Sequence, residues 1–284
     1  MEHARPSRTA LRVALRRAAH QLYDARPLVF DDPIAVAILG PHAGEIERTP
    51  GRNPLHKPRP YSIGLRAFLV ARSRYTEDLL AQAVERGVTQ YVLLGAGLDT
   101  FAHRNPYPSL RVFEVDHPAT QQWKLELLEA GSLPSPANLA YTPVDFEHQS
   151  LPEQLHAAGF DSSAPTFFSW LGVVPYITLD AFRATIRFIS AQPHLTGIVF
   201  DYGQPRAVLS PNEQLAHDSL ASRVQLAGEA FQLFFTPTEA ADELAAFHSI
   251  EDIGSTEIND RYFAGRTDGL KMLGSASRLL SGWI

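Results

Sequence analysis

Tyr91-Val92-Leu93-Leu94-Gly95-Ala96-Gly97-Leu98-Asp99-Thr100, followed by Val112-Phe113-Glu114-Val115-Asp116-His117-Pro118, decides the fold of this chain. The first run is apolar without alternation, as in a parallel strand covered on both faces. It stops at Gly95-Ala96-Gly97, where missing side chains let a ligand approach the backbone. The second run stops at Asp116, about twenty residues further on, the separation of glycine turn and ribose-binding acid in nucleotide-binding βαβ units. Glu114 lies two residues earlier on the same face and can share that role. A glycine turn followed by such an acid indicates a nucleoside-containing cofactor. The same residues also fit a plain strand-to-helix turn, with Asp116 capping a helix that begins at Pro118.

A dinucleotide fingerprint requires a third glycine three residues after the second, so that a pyrophosphate can reach the helix N-terminus. That position is Thr100, and Asp99 before it would repel a phosphate. The chain also lacks a GxxxxGK[ST] phosphate loop. A phosphate-free nucleoside with an amino-acid tail fits better, and S-adenosylmethionine is such a molecule.

Outward from this stretch, strands and helices alternate from Gln90 onward, which predicts an α/β, Rossmann-like, doubly wound sheet of seven mostly parallel strands. Strands are expected near 91–94, 111–115, 139–144, 166–170, 196–201 and 249–253. Helices are expected near 118–130, 151–158, 179–191 and 238–247, and the tail to Trp283 reads as an edge hairpin. Residues 1–89 read as a helical cover with helices over about 9–24 and 63–85, the latter closed by Gly87. Between them, Asp31-Asp32-Pro33 signals a helix start and Gly40-Pro41 its end. The stretch 41–60 reads as a mobile loop. Residues 90–204 form the expected cofactor-binding core, 205–238 an inserted lid carrying Phe231, Phe234 and Phe235, and 239–284 the end of the core.

The 284 residues are 45% hydrophobic, enough to bury a full core as one domain. A net charge of −6 argues against a nucleic-acid partner, which would favour a basic chain. With no cysteine, disulfides, thiolate zinc sites and cysteine nucleophiles are excluded, which fits a cytoplasmic protein. No apolar run approaches the roughly 18 residues needed to span a membrane. The first 26 residues carry six arginines but only two acids, Glu2 and Asp24. A transit peptide can look like that, yet Leu11, Leu15, Ala18, Ala19 and Leu22 form an apolar helical stripe that suits a docked helix.

The order TALRVALRRA, FDDPIA, ARSRYTEDLL, VLLGAGLDTFAHR, FEVDHP and PVDFEH resembles the leucine carboxyl methyltransferase family, in particular its bacterial S-adenosylmethionine-dependent O-methyltransferase branch. The similarity runs from about Thr9 to about Tyr202, and RYFAGRTDGL near the end adds to it. GAGLD followed by EVD-x-P is a specific combination. The resemblance implies a class I methyltransferase fold and S-adenosylmethionine as cofactor. It assigns Arg72 to the cofactor carboxylate, with Arg17 second. It brings Asp145 and Phe146 to the adenine and Tyr176 to the acceptor oxygen.

The chain departs from the family pattern where the fourth strand ends. In Phe167-Phe168-Ser169-Trp170-Leu171-Gly172-Val173-Val174-Pro175-Tyr176-Ile177, Leu171 stands where the resemblance expects a glutamate, beside Trp170. Glu147 stands where related enzymes often carry arginine. Both changes point to altered substrate recognition in an apolar, aromatic pocket. Eleven histidines are scattered without an HExxH or His-x-His pair, and no metal site is expected. His103, His117 and His148 follow strand-end motifs and read first as structural. The expected reaction is O-methyl transfer to a carboxylate of a small molecule or peptide end. The rival readings are a phenol acceptor, a non-methylating step, and a homologue that binds cofactor without transfer.

Overall fold

The computed structural model describes residues 6–48, 60–145 and 148–284. Seven strands form one sheet in the order β3-β2-β1-β4-β5-β7-β6. These are β1 (Gln90–Leu94), β2 (Arg111–Asp116), β3 (Leu139–Pro143), β4 (Thr166–Trp170), β5 (Gly197–Gly203), β6 (His248–Ile253) and β7 (Ser277–Trp283). The first five pair in parallel, whereas β7 runs antiparallel to both β5 and β6. The expected edge hairpin is therefore corrected: β7 inserts between β5 and β6, and β6 takes the edge. A strand whose Leu279 and Leu280 are both fully buried cannot sit at a solvated rim.

All five residues of β1 are buried, and alternate side chains enter two different cores. Tyr91 and Leu93 join a cluster under α2 (Pro60–Glu85), and Val92 and Leu94 join one under α6 (Leu179–Ser190). That two-sided burial is why the strand reads as an unbroken apolar run. A third cluster packs α1 (Arg8–Tyr23), through Ala14, Ala18 and Ala19, against Leu127 and Leu128 of α4 (Pro118–Ala130). Ser7 caps α1, its hydroxyl accepting from the Ala10 amide at 3.1 Å.

The helix expected from Pro33 is not formed. Residues 33–36 make turns and Ala37–Arg48 is 3-10 helical, broken at Gly40 where φ is +50°. Asp32 does accept from the Ile34 amide (3.2 Å), but its carboxylate is fully buried against Arg17 instead of capping an exposed helix. Residues 49–59 of the loop expected at 41–60 lie outside the described residues, as do Phe146 and Glu147. Beyond β5, α7 (Pro211–Gln225) leads through an irregular stretch to α8 (Pro237–Glu243). The three phenylalanines of that stretch diverge. Phe235 is buried against Phe182 and Tyr202, Phe234 packs on His217, and Phe231 lies 5.2 Å from the Tyr176 ring. Among the described residues, no helix is long and apolar enough to cross a membrane.

Candidate active site

A cavity of about 730 Å³ opens at the carboxyl ends of the parallel strands, the place where open α/β sheets bind ligands. Gly95, Ala96 and Gly97 contribute from the end of β1, Asp116 from β2 and Asp145 from just beyond β3. Leu171 and Tyr176 contribute from beyond β4, and Arg72 from α2. The sequence-predicted residues thus converge on one cleft, with two exceptions among those described.

Glu114 is the first exception. It is buried beside Lys124, whose Nζ donates to Glu114 Oε2 and to the Asp99 carbonyl, both at 2.6 Å. Its place two residues before the strand end sets it about 6–7 Å below the cleft rim. Burial pushes the Glu114 carboxyl up while Lys124 pulls it down, and burial wins. Trp170 is the second exception. Alternation along β4 turns Ser169 and Leu171 to the cleft and Trp170 to the opposite core, where it stacks on Phe182 at 5.4 Å and 4°.

Asp116 does not cap the helix at Pro118. That cap is His117, whose Nδ1 accepts from the Ala119 amide at 3.2 Å. Asp116 instead accepts from the Gly97 amide at 2.5 Å and the His117 amide at 2.7 Å, tying the ends of β1 and β2 together at the cleft. Burial raises its pKa against the pull of those two amides. The glycine turn needs its glycines. At Gly95 φ is +70°, and a Cβ would stand 2.2 Å from Val173 Cγ2.

Arg72 is buried in the cleft wall. Its Nη1 donates to Asp201 Oδ2 at 3.0 Å, while Asp201 Oδ1 accepts from the Gly172 amide at 2.5 Å. At Gly172 φ is +71°, and a Cβ there would lie 2.9 Å from Arg72 Nη2, so the turn after β4 is pressed against the guanidinium. The surface ion pair of this helix belongs to Arg74 and Asp78. Sequence reasoning missed Asp201. Its signal was an acid inside the otherwise apolar run Ile198-Val199-Phe200 of a buried strand.

α1 lies over the glycine turn: Thr9, Ala10, Val13, Ala14 and Arg17 border the cleft, and Ala10 Cβ stands 3.2 Å from where a Gly97 Cβ would be. Arg17 fastens it there. Nη2 meets Asp32 at 2.5 Å and Thr100 Oγ1 at 2.7 Å, and Nη1 meets Asp99 at 3.2 Å. Burial alone would raise the Asp99 carboxyl, but Arg17, Arg104 and Lys124 outweigh it and hold it below the usual range. Arg17 is thus engaged by two acids. Tyr176 borders the cleft from the other side, its phenol pushed up by burial to about 12. Of the candidate histidines, His117 reaches the cleft, His103 bonds the Pro134 carbonyl and His148 is exposed. Among the described residues no cluster of three or more His, Asp or Glu side chains could hold a metal ion.

Comparison with known proteins agrees with this geometry. The family described as leucine carboxyl methyltransferase matches residues 10–190. "Putative S-adenosyl-L-methionine-dependent methyltransferase YktD" of Bacillus subtilis is 33% identical over 289 residues, covering 93% of this chain and 93% of that protein. Two solved structures share the fold at 15% identity. One is titled as a putative methyltransferase from Thermobifida fusca (TM-score 0.58, 99% of this chain and 96% of that one). The other is a DUF574 family protein from Streptomyces avermitilis (TM-score 0.53, 96% of each). The architecture is that of the class I methyltransferases. With a family match over most of its length and a relative one-third identical along nearly all of it, this chain belongs to the leucine carboxyl methyltransferase family.

Proposed function

We propose that the chain is an S-adenosylmethionine-dependent methyltransferase that methylates an oxygen of a small-molecule or peptide-end acceptor, with a carboxylate as the favoured group. The observation that carries this reading is a cleft in which the glycine turn, Asp116 and Arg72 border the same space as Tyr176. The residues present fit the cofactor. Asp116 is a half-buried two-acceptor partner suited to a diol. Arg72, steadied by Asp201, is a cation suited to the carboxylate of an amino-acid tail. Asp116 and Asp145 add acidic side chains to that end of the cleft, which favours a ligand with a positively charged sulfur. Leu171 adds no polar atom, so the methionine end relies on the glycine turn and Arg72.

When bound, S-adenosylmethionine supplies a methyl group on sulfonium, an electrophile that needs no acid activation. The chain's own contribution is to exclude water and align the acceptor, through α1 on one side and Tyr176 with Glu229 and Gln232 on the other. Tyr176, at about 12, keeps its proton at neutral pH and acts as a donor. His117 accepts at Nδ1 from the Ala119 amide, so that nitrogen is occupied and not turned to an acceptor hydroxyl. A carboxylate, ionised above about pH 4, needs no base, whereas a phenol at about 10 would. This is what favours the carboxylate.

Calorimetry with S-adenosylmethionine, then a panel of acids and phenols with labelled cofactor, tests the reading. Label is expected in products that lose it in mild alkali, as methyl esters do. Alkali-stable ethers would move the acceptor to phenols, and tight cofactor binding without transfer would leave a binding protein. Tyr176→Phe is expected to lower kcat by roughly 10- to 150-fold, the equivalent of about 1.5–3 kcal/mol for a hydrogen bond to a charged group. The KM for the cofactor should barely change. A variant with unaltered kcat would remove Tyr176 from the reaction.

A further inference from the structure

The arginines of α1 divide into two sets. Arg17 faces inward onto Asp32 and Asp99. Arg8, Arg12 and Arg16 repeat at intervals of four, one above the other along a single helix face. Among the described residues, none of these three has an acidic partner. The acid that α1 leads into, Asp24, is taken up by Arg66 at 2.6 and 2.9 Å. Arg16 donates from Nη1 to the Arg12 carbonyl at 3.0 Å, and its Nε is buried without a partner. Burial and the guanidiniums of Arg223, Arg12 and Arg66 pull it down to about 10. A half-buried cation surrounded by cations is unfavourable unless an anion joins it, and the chain as a whole is acidic at −6.

The row also has a place relative to the cleft. Thr9 and Val13, on the adjoining strip of the same helix, border the cavity. Arg12 Nη1 reaches the Arg223 carbonyl of α7 at 3.5 Å, and α7 leads directly into Gly228, Glu229 and Gln232 on the cavity's other lip. Arg12 thus stands where α1 meets the helix that leads into that lip, and Arg16 adjoins it through the Arg12 carbonyl. Glu229 on the far lip turns an anionic end toward α1.

We propose that Arg8, Arg12 and Arg16 form an oxyanion-binding ridge at the mouth of the cleft, which holds a phosphate or carboxylate group carried by the methyl acceptor. This rests on the methyl-transfer reading of the cleft. Guanidinium forks suit both oxyanions.

The test titrates the full chain with inorganic phosphate and with succinate, against chloride at matched ionic strength, by calorimetry and thermal melting. Phosphate or succinate should bind and raise the melting temperature, and whichever does so names the acceptor's anionic group. Arg12→Gln and Arg16→Gln should each weaken that binding about tenfold, the worth of one charge-assisted hydrogen bond. Arg183→Gln, which loses a surface pair with Glu243, should leave it unchanged. Arg16→Gln should melt no lower than the parent chain in anion-free buffer, because the replaced cation lacks a partner there. No binding by either anion, equal binding by the variants, or an Arg16→Gln chain that fails to fold would each overturn the ridge. Cofactor calorimetry on the same samples separates the two ideas: retained S-adenosylmethionine binding without an anion response sinks the ridge alone, whereas no cofactor binding sinks the methyl-transfer reading.

Discussion

Lys124→Met is expected to destabilise the protein by about 3–5 kcal/mol, because removing one partner of a buried ion pair strands the other charge. Lys124 and Glu114 are each only 1% exposed and meet at 2.6 Å, and Lys124 also holds the Asp99 carbonyl behind the glycine turn. Glu114 Oε1 already lacks a partner among the described residues, so methionine would leave the carboxylate with no counter-charge. The loss should depend on pH in a definite direction. Burial already raises the Glu114 pKa, and without Lys124 it rises further. A folded-state pKa above the unfolded value favours the folded state at low pH, so the penalty should shrink as pH falls from neutral toward that raised pKa. Combining Lys124→Met with Glu114→Gln should recover most of the stability. Chemical denaturation of the two single variants and the double variant at several pH values measures this. A pH-independent loss, or a double variant as unstable as the sum of the singles, would show that packing and not charge explains the effect.

Asp116→Ala should weaken S-adenosylmethionine binding by about 1.5–3 kcal/mol, the range for hydrogen bonds to a charged group, or roughly 10- to 150-fold in Kd. Asp116 borders the cleft while accepting from the Gly97 and His117 amides, so alanine also loosens the turn. Asp116→Asn keeps one oxygen for the Gly97 amide and should lose less. Because burial raises the Asp116 pKa, cofactor affinity in the parent chain should fall on acidification at a higher pH than an ordinary aspartate would give. That fall should be absent in the alanine variant. The ribose-bearing fragment methylthioadenosine should weaken in parallel with the whole cofactor. Unchanged affinity in a folded Asp116→Ala chain would reduce the residue to a clasp between β1 and β2.

The family and the core of the fold were legible in the sequence because both are written in local patterns. An apolar run that stops at Gly95-Ala96-Gly97 can be a covered strand entering a tight turn, and Asp116 follows at the spacing of the next parallel strand. These two features place the cleft at the strand ends without knowledge of any long-range contact. Period-two alternation also put Glu114 on the correct face, but it carries no information about depth, and two residues of strand separate the cleft rim from the Lys124 pair.

The sequence alone therefore determined that the early strands run parallel, and it determined the glycine turn and the acid beside it, because each depends on neighbours within about twenty residues. Tertiary structure decided which charges face the ligand and which are consumed in the interior. Arg17 finds Asp32 15 residues away and Asp99 82 residues away, and Arg72 finds Asp201 at a separation of 129. Burial makes such pairing obligatory, yet no local spacing names the partner. The same holds for β7, which the chain's end supplies to the gap between β5 and β6. Its Leu279 and Leu280 must both be covered, and only the assembled sheet offers the place.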